Sequence, residues 1–303
     1  MLAILLLAGC SKTQTSGYNP QTTTLYTLLS TGTNTTIFNS AVIKAHLDTV
    51  FSGTSLFTLF VPNNDACVQS GYPQSVVDLF SSDQARQWIL YQTYAGTALS
   101  LESFIGKSEE KLIMADGDSV FVTGDSNRTF INGFELYNSE ATATNGVLLA
   151  LQNVLTPPKQ NLLQLVNNDT SLSFMAEAIQ LSTAVPDTIS NLLSSGGPYT
   201  FLAADNDAFR KLGFTTPADL ISVSPDSLRS MVLLSMIPQR LFNYDIADSS
   251  QFQTVNDSTL QFNVSGISMN VRVLESVDSS NVISYNVMAM NGVLFKLDEL
   301  LDK

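Results

Sequence analysis

The chain holds only two cysteines, one histidine and one tryptophan in 303 residues. Two thiols cannot build a disulfide framework, and with a single imidazole they leave almost no material for a zinc site or a cysteine cluster. Charge is scarce as well. Only 14% of residues are charged, and 14 basic against 27 acidic residues give a net charge of -13. Such a surface repels a phosphate backbone and offers no basic stripe for counterion release, so nucleic acid is excluded as a partner. The G-x-S-x-G, P-loop and G-x-G-x-x-G patterns are absent, so no catalytic residue and no cofactor are expected. What the chain has in quantity is apolar bulk: 44% hydrophobic residues, with 17 Phe and 9 Tyr. That composition excludes global disorder, and the length divides into two domains of ordinary size, each able to bury its own core.

The first ten residues stand apart. Met1 to Leu7 is apolar, Ala8 and Gly9 follow, and after Cys10 the composition switches to Ser, Thr, Gln and Asn. Seven residues are too few to cross a bilayer, which takes about 20. They suit the apolar part of a signal peptide. Leu7-Ala8-Gly9-Cys10 resembles a bacterial lipobox, which implies that Cys10 carries acyl chains and becomes the first residue after cleavage; a plain secretory segment with an incidental Cys is the alternative. Residues 1–10 are therefore expected to be a lipoprotein signal peptide. Residues 11–24, which lack a large aliphatic side chain, are expected to be a flexible tether with a reach of roughly 20 Å. No later run of 18 apolar residues occurs, so the expected anchor is at one end only. The address implied is the bacterial cell envelope, with the outer membrane favoured and the facing side, periplasm or exterior, left open.

The remainder repeats itself. Thr58-Leu-Phe-Val-Pro-Asn-Asn-Asp-Ala-Cys67 realigns with Thr200-Phe-Leu-Ala-Ala-Asp-Asn-Asp-Ala-Phe209, and Asn145-Gly-Val-Leu-Leu-Ala-Leu with Asn291-Gly-Val-Leu-Phe-Lys-Leu. The offsets, 142 and 146 residues, are those of a duplicated domain rather than a solenoid. Copies are expected over residues 25–156 and 159–303, with Pro157-Pro158 at the joint.

Each copy orders its signals alike: helical patterns, a short apolar strand, more helix, then several strands closed by Asn-Gly. The fold class is α+β, a helical region packed on an antiparallel-rich sheet. Phe38, Val42, Ile43, Leu47 and Val50 predict one amphipathic helix from Ile37 to Phe51, matched in the second copy by Ser171 to Leu181. Leu56 to Val61 and Tyr199 to Ala203 read as buried strands, after which Asn63 and Asp205 sit where helix N-caps belong. Ser75 to Tyr94 and Pro225 to Leu234 read as helical. Lys111 to Met114, Ser119 to Thr123, Thr129 to Ile131 and Phe134 to Tyr137 read as strands, turned at Asp116-Gly117 and Asn132-Gly133. Thr259 to Val264, Ile267 to Val273 and Val282 to Met288 answer them, with a turn at Ser265-Gly266.

These two motifs, each present twice and in order, resemble the signatures of fasciclin (FAS1) domains. Thr200, Phe201, Ala203, Asn206, Ala208 and Phe209 carry the first motif in the second copy, Thr58, Pro62, Asn64 and Ala66 in the first, and Asn291 to Leu301 carries the closing one. The resemblance spans nearly the whole chain and implies two tandem fasciclin-like domains in a non-enzymatic adhesion or interaction protein. One departure stands out. Where the family often carries Tyr-His, this chain has Tyr91-Gln92 and Leu234-Ser235, so integrin-type recognition is not carried over.

Bland readings outweigh chemical ones elsewhere. Asp205-Asn206-Asp207 looks like a divalent-metal triplet, but its partner Asn63-Asn64-Asp65 lacks the first acid and capping accounts for both, so no metal site is expected. Asp116-Gly117-Asp118 and Asp125-Ser126-Asn127 read as turns. His46 lies within the expected helix near no nucleophile, and Cys67 reads as a small buried apolar side chain. Trp88, Tyr91 and Tyr94, three apart, form an aromatic stripe that either packs against the sheet or is exposed to a partner. The N-x-S/T triplets at Asn34, Asn127, Asn168, Asn256 and Asn263 reflect composition more than glycosylation. The function expected is adhesion or interaction with a protein or glycan of the envelope or extracellular matrix; the alternative is a polysaccharide-binding accessory protein of the outer membrane. An enzyme would require a deep pocket gathering carboxylates from both copies.

Overall fold

A computed structural model describes residues 22–182, 188–274 and 276–302. Cys10, the signal segment and the expected tether up to residue 21 lie outside the described residues.

The strands form two seven-stranded sheets of identical connectivity. In spatial order the first runs Thr93–Ala95, Phe57–Pro62, Gly146–Leu151, Phe134–Ala143, Thr129–Ile131, Ser119–Gly124, Lys107–Ile113. The second runs Met236–Ile237, Tyr199–Ala204, Gly292–Leu297, Ser280–Ala289, Ser268–Val273, Thr259–Ser265, Gln251–Gln253. In each, the strand of the first motif pairs in parallel with the strand of the closing motif: Phe57↔Gly146 through Pro62↔Leu151, and Tyr199↔Gly292 through Ala204↔Leu297. The helical segments precede or follow these strands rather than alternating with them, which is the α+β class read from the sequence.

The chain packs as two compact units. One comprises the described residues to Ser103 with Met114–Gly117 and Tyr137–Val154; the other comprises Phe104–Ile113, Asp118–Leu136 and the residues from Leu155 on. The first unit centres on Leu25, Leu29, Phe38, Val42, Phe51, Leu59 and Trp88. In the second, Tyr199–Ala204 sends Phe201 and Ala203 into one apolar cluster, with Phe174, Met175 and Phe209, and Leu202 into another, with Phe242, Phe262 and Phe295. A strand covered on both faces has no polar face to show, which is why it reads as an unbroken apolar run.

Several expected elements need correction. The helix predicted from Ile37 to Phe51 is two: Thr36–Lys44 and Asp48–Phe51. His46 adopts a left-handed φ of 54°, its N–H donates to Ile43 O at 3.0 Å, and Leu47 N–H donates to Val42 O at 3.0 Å. This is a Schellman motif, which satisfies the last carbonyls and ends the helix. The first helix buries the face of Ile37, Phe38, Ala41 and Val42, which leaves Ile43 exposed, and the turn resets the helical phase so that Val50 beyond it is exposed too; Ala45 is buried. Gly71 and Gly213 close the helices after the two apolar strands by the same pair of bonds.

The helical stretch expected from Ser75 to Tyr94 is likewise two helices, Gln74–Val77 and Ser82–Leu90, the second opened by a Ser81/Gln84 capping box. Tyr94 belongs to the strand Thr93–Ala95. The strands read as Lys111–Met114 and Phe134–Tyr137 run over Lys107–Ile113 and Phe134–Ala143, and the turn placed at Ser265-Gly266 is Gly266-Ile267, since Ser265 pairs with Ser268. Among the described residues no helix is long and apolar enough to cross a membrane.

Candidate functional site

The motif residues are spent on the fold, and in the same way in both copies. Thr58 Oγ1 donates to Thr97 O (2.9 Å) and accepts from Leu99 N–H (2.7 Å); Thr200 Oγ1 donates to Gln239 O (2.8 Å) and accepts from Leu241 N–H (2.8 Å). Asn63 and Asp205 are the N-caps expected, accepting from Ala66 N–H at 2.7 Å and Ala208 N–H at 2.9 Å. The following asparagines reach an earlier helix: Asn64 Oδ1 accepts from Ile37 N–H, and Asn206 Oδ1 from Phe174 N–H.

The asparagine of each closing motif is a clamp. Asn145 Oδ1 accepts from Leu25 N–H and its Nδ2 donates to Phe51 O, both at 2.8 Å. Asn291 Oδ1 accepts from Leu162 N–H at 2.9 Å, and its Nδ2 donates to Leu193 O and Gly196 O. Truncation to alanine leaves a buried donor and acceptor unmatched, at about 1–3 kcal/mol for each unmatched group. Asn145→Ala is expected to lower stability by about 2–6 kcal/mol, checked by urea unfolding; a loss under 1 kcal/mol would contradict the clamp. At the Tyr-His positions Gln92 O accepts from Phe60 N–H and Ser235 O from Leu202 N–H, both at 2.8 Å. Their buried side chains bond back to the preceding helix, Gln92 Nε2 to Trp88 O at 3.2 Å and Ser235 Oγ to Met231 O at 3.1 Å, so these residues satisfy themselves where the family often has His.

The candidate residues resolve as follows. Asp207 pairs with Arg210 on the surface, and the Asp205 triplet is cap chemistry. Asp125 accepts from Asn127 and Arg128 N–H, a local turn whose bonds hold its carboxyl below the usual range. Among the described residues no group of three His, Cys, Asp or Glu is disposed to hold a metal ion. His46 is an exposed helix terminator. Cys67 is fully buried, and desolvation pushes its thiol up to about 12, far from a reactive thiolate. Trp88 and Tyr91 are buried, but with Tyr94 in a strand the three do not share one helical face. Trp88 meets Phe38, Tyr72 and Phe80, so its partners lie in the helical region rather than on the sheet.

A cluster that the sequence did not mark lies in the second unit. Asp245 Oδ2 accepts from Phe242 N–H at 2.8 Å and its Oδ1 from Thr123 Oγ1 at 3.3 Å; the same Thr123 oxygen accepts from Glu109 N–H at 2.9 Å. Tyr244 stacks on Phe130 with centroids 4.1 Å apart. Arg240 is only 7% exposed and lies 3.9 Å from the centre of the Phe121 ring. Burial and the neighbouring Asp245 push the Glu109 carboxyl up to about 7, against the pull of Arg240, and burial raises Asp245 as well. A groove of about 480 Å³ opens onto Arg240, walled also by Lys111, Asp118, Ser119, Phe121 and Met288; Glu109 and Asp245 are not part of its wall. No spacing rule links residues 109, 123, 240 and 245: Glu109 and Thr123 lie on paired strands, and Arg240 and Asp245 reach them from a loop and a short 3-10 turn by tertiary packing.

The sign of the resulting pH dependence follows from the raised carboxyls. In the unfolded chain Glu109 ionises near 4.5, whereas in the folded unit it keeps its proton to about 7. Between those values the unfolded state holds fewer protons, so stability falls as pH rises across the window and levels off above it. The acids held low, Asp169, Asp219 and Asp298, titrate below that window. Melting of the second unit is expected at lower temperature at pH 7.5 than at pH 5. Glu109→Gln should remove most of the difference, and an undiminished slope in that variant would assign it elsewhere.

The family profile of the fasciclin domain matches residues 33–157 and 171–303. The transforming growth factor-beta-induced protein ig-h3 of Sus scrofa is 24% identical over 253 residues, covering 82% of this chain and 35% of that protein; its namesake in Oryctolagus cuniculus gives the same figures. Periostin of Homo sapiens is 23% identical over 174 residues, 56% of this chain and 19% of that protein. The chain thus spans about a third of the length of the first two relatives. Among solved structures, the FAS1 domain pair of the insect cell adhesion molecule Fasciclin I is 15% identical with a TM-score of 0.43, over 88% of this chain and 96% of that one. With two matched segments covering most of its length, the chain belongs to the fasciclin domain family and carries two copies of the domain in tandem.

Proposed function

We propose that this chain is a non-enzymatic adhesion or interaction module of the cell envelope, tethered through a lipidated Cys10 at the outer membrane and making its contacts with a protein or glycan. The observation that carries the reading is the duplicated fasciclin match over most of the chain. The motif residues support it, because Thr58, Thr200, Asn64, Asn206, Asn145 and Asn291 are all engaged in internal hydrogen bonds and leave recognition to the variable surface. That surface carries isolated apolar side chains such as Leu79, Ile221 and Ile267, each more than three-quarters exposed.

Two experiments test it. Cell-cell or cell-matrix attachment should drop when the gene is deleted and return with the full chain; unchanged attachment would refute the adhesion reading. Cys10→Ser should move the protein from the membrane fraction to the soluble one, and unchanged partition would refute the anchor. A polysaccharide partner is the second reading, favoured by the groove that opens onto Arg240.

A further inference from the structure

Arginine is almost never buried without a partner. Arg240 departs from that rule: it is 7% exposed, its Nε is buried with no hydrogen-bond acceptor, and it belongs to none of the ion pairs among the described residues. One face of its guanidinium is covered by Phe121, with 3.9 Å between Cζ and the ring centre. Stacking of that kind leaves the in-plane N–H donors for an acceptor. The groove of about 480 Å³ onto which Arg240 opens is in the size range of small-ligand sites. Lys111 adds a second cation to its wall, whereas Asp118 places a carboxylate there, and the chain as a whole carries a charge of -13.

A planar carboxylate meets the guanidinium edge with two parallel hydrogen bonds. A polyanion does not suit the site, because Asp118 and the net charge oppose every further negative group. The Asp118 carboxylate and the Ser119 hydroxyl in the wall are the chemistry that meets hydroxyl groups, and Met288 gives an apolar flank. One acid group on a hydroxylated, ring-sized body is the chemistry of a sugar acid.

We propose that this groove binds a carboxylate-bearing sugar, such as a uronic acid residue of a glycan, through Arg240 with Lys111 in support. The proposal rests on the glycan reading of the function and names its ligand class. Glu109 sets its pH response. Charged Glu109 competes electrostatically for Arg240, so affinity weakens as pH rises through about 7. The other titratable or charged groups of this region are Asp245, Tyr244, Asp118 and Lys111.

Calorimetric titration of the full chain with sodium glucuronate, glucose and N-acetylglutamate amide provides the test. Glucuronate should bind at least tenfold more tightly than glucose or the amino-acid carboxylate. Arg240→Gln should weaken glucuronate at least tenfold, exposed Lys111→Gln severalfold, and Glu109→Gln should tighten it and flatten its pH dependence. Should Arg240→Gln fail to melt like the parent, the Lys111 and Glu109 variants decide. Glucuronate no better than glucose, equal binding of the amino-acid carboxylate, or indifference of affinity to the Lys111 and Glu109 substitutions would each overturn the proposal. A parallel glycan array separates the two levels: glycans bound equally by parent and Arg240→Gln sink the groove and leave the glycan reading standing, whereas no glycan bound by the parent sinks both.

Discussion

Gly292→Ala is expected to cost about 3 kcal/mol or more and to lower the melting temperature of the second unit by roughly 6–12 °C. The cause is the parallel pairing at the heart of each copy. Gly292 stands directly opposite Tyr199, and a Cβ there would be driven into the Tyr199 carbonyl oxygen and come within 2.8 Å of Leu162 Cδ1. Backbone that close cannot be relieved by a rotamer change; the strand itself must shift, and with it the clamp made by the neighbouring Asn291. Gly146 is its counterpart, opposite Phe57 and against Leu25 Cδ1, with a φ of 149° that disfavours a side chain in addition. Gly146→Ala should therefore do the same to the first unit. The comparison variant is Gly266→Ala, at a turn where nothing lies within 4 Å of the added methyl and only the φ of 61° opposes it. Thermal melting of the three should rank Gly266→Ala well above the other two; a Gly292→Ala protein melting within 2 °C of the parent would show that the strands separate at little cost.

Part of this architecture could be read from the chain itself. The two motif strands were visible as repeats, though not their parallel pairing, which joins residues about 90 apart; the caps at Asn63 and Asp205 were legible because capping is local chemistry within four residues. Pro225–Leu234 and Thr129–Ile131 were placed to the residue for the same reason, proline at a helix start and an Asn-Gly turn with positive φ at both Asn132 and Gly133. Misplaced elements fail where tertiary context overrides periodicity. A Schellman turn at His46 requires a left-handed residue, usually glycine, and a histidine gives no such signal. Tyr94 continues a three-residue aromatic spacing and is drawn instead into a strand against Thr58. The polar cluster of Glu109, Thr123, Arg240 and Asp245 is the least legible of all, since its members are up to 136 residues apart and none sits in a motif. The one hint available was negative: a chain with 14 basic residues spends one of them, Arg240, inside an apolar stretch between Ile237 and Phe242.

Trp88→Ala is the substitution that separates packing from recognition in the aromatic stripe. The indole is 8% exposed and its ring lies 5.7 Å from Phe38, 5.4 Å from Tyr72 and 6.0 Å from Phe80. Deleting a buried aromatic of this kind costs about 3–5 kcal/mol, a large share of the stability of a single domain. The second copy uses a different ring pair, Phe174 stacked on Phe209 at 5.3 Å, where the first copy has Ile37 and Cys67. Phe38, whose counterpart is Met175, takes Trp88 as its ring partner. Loss of Trp88 therefore removes the main ring contact of Phe38 as well as its own volume. Because Trp88 Nε1 is buried with no acceptor, Trp88→Phe discards an unsatisfied donor along with part of the ring and should retain more stability than Trp88→Ala. As the chain's single tryptophan, it also makes emission a reporter of the first unit alone. In the parent, the shift of emission to longer wavelength on urea unfolding should mark that unit, while circular dichroism records both. Trp88→Phe should bring forward only the first-unit step. A Trp88→Ala protein that melts like the parent but no longer captures its partner would place the indole in the binding surface and overturn the packing assignment.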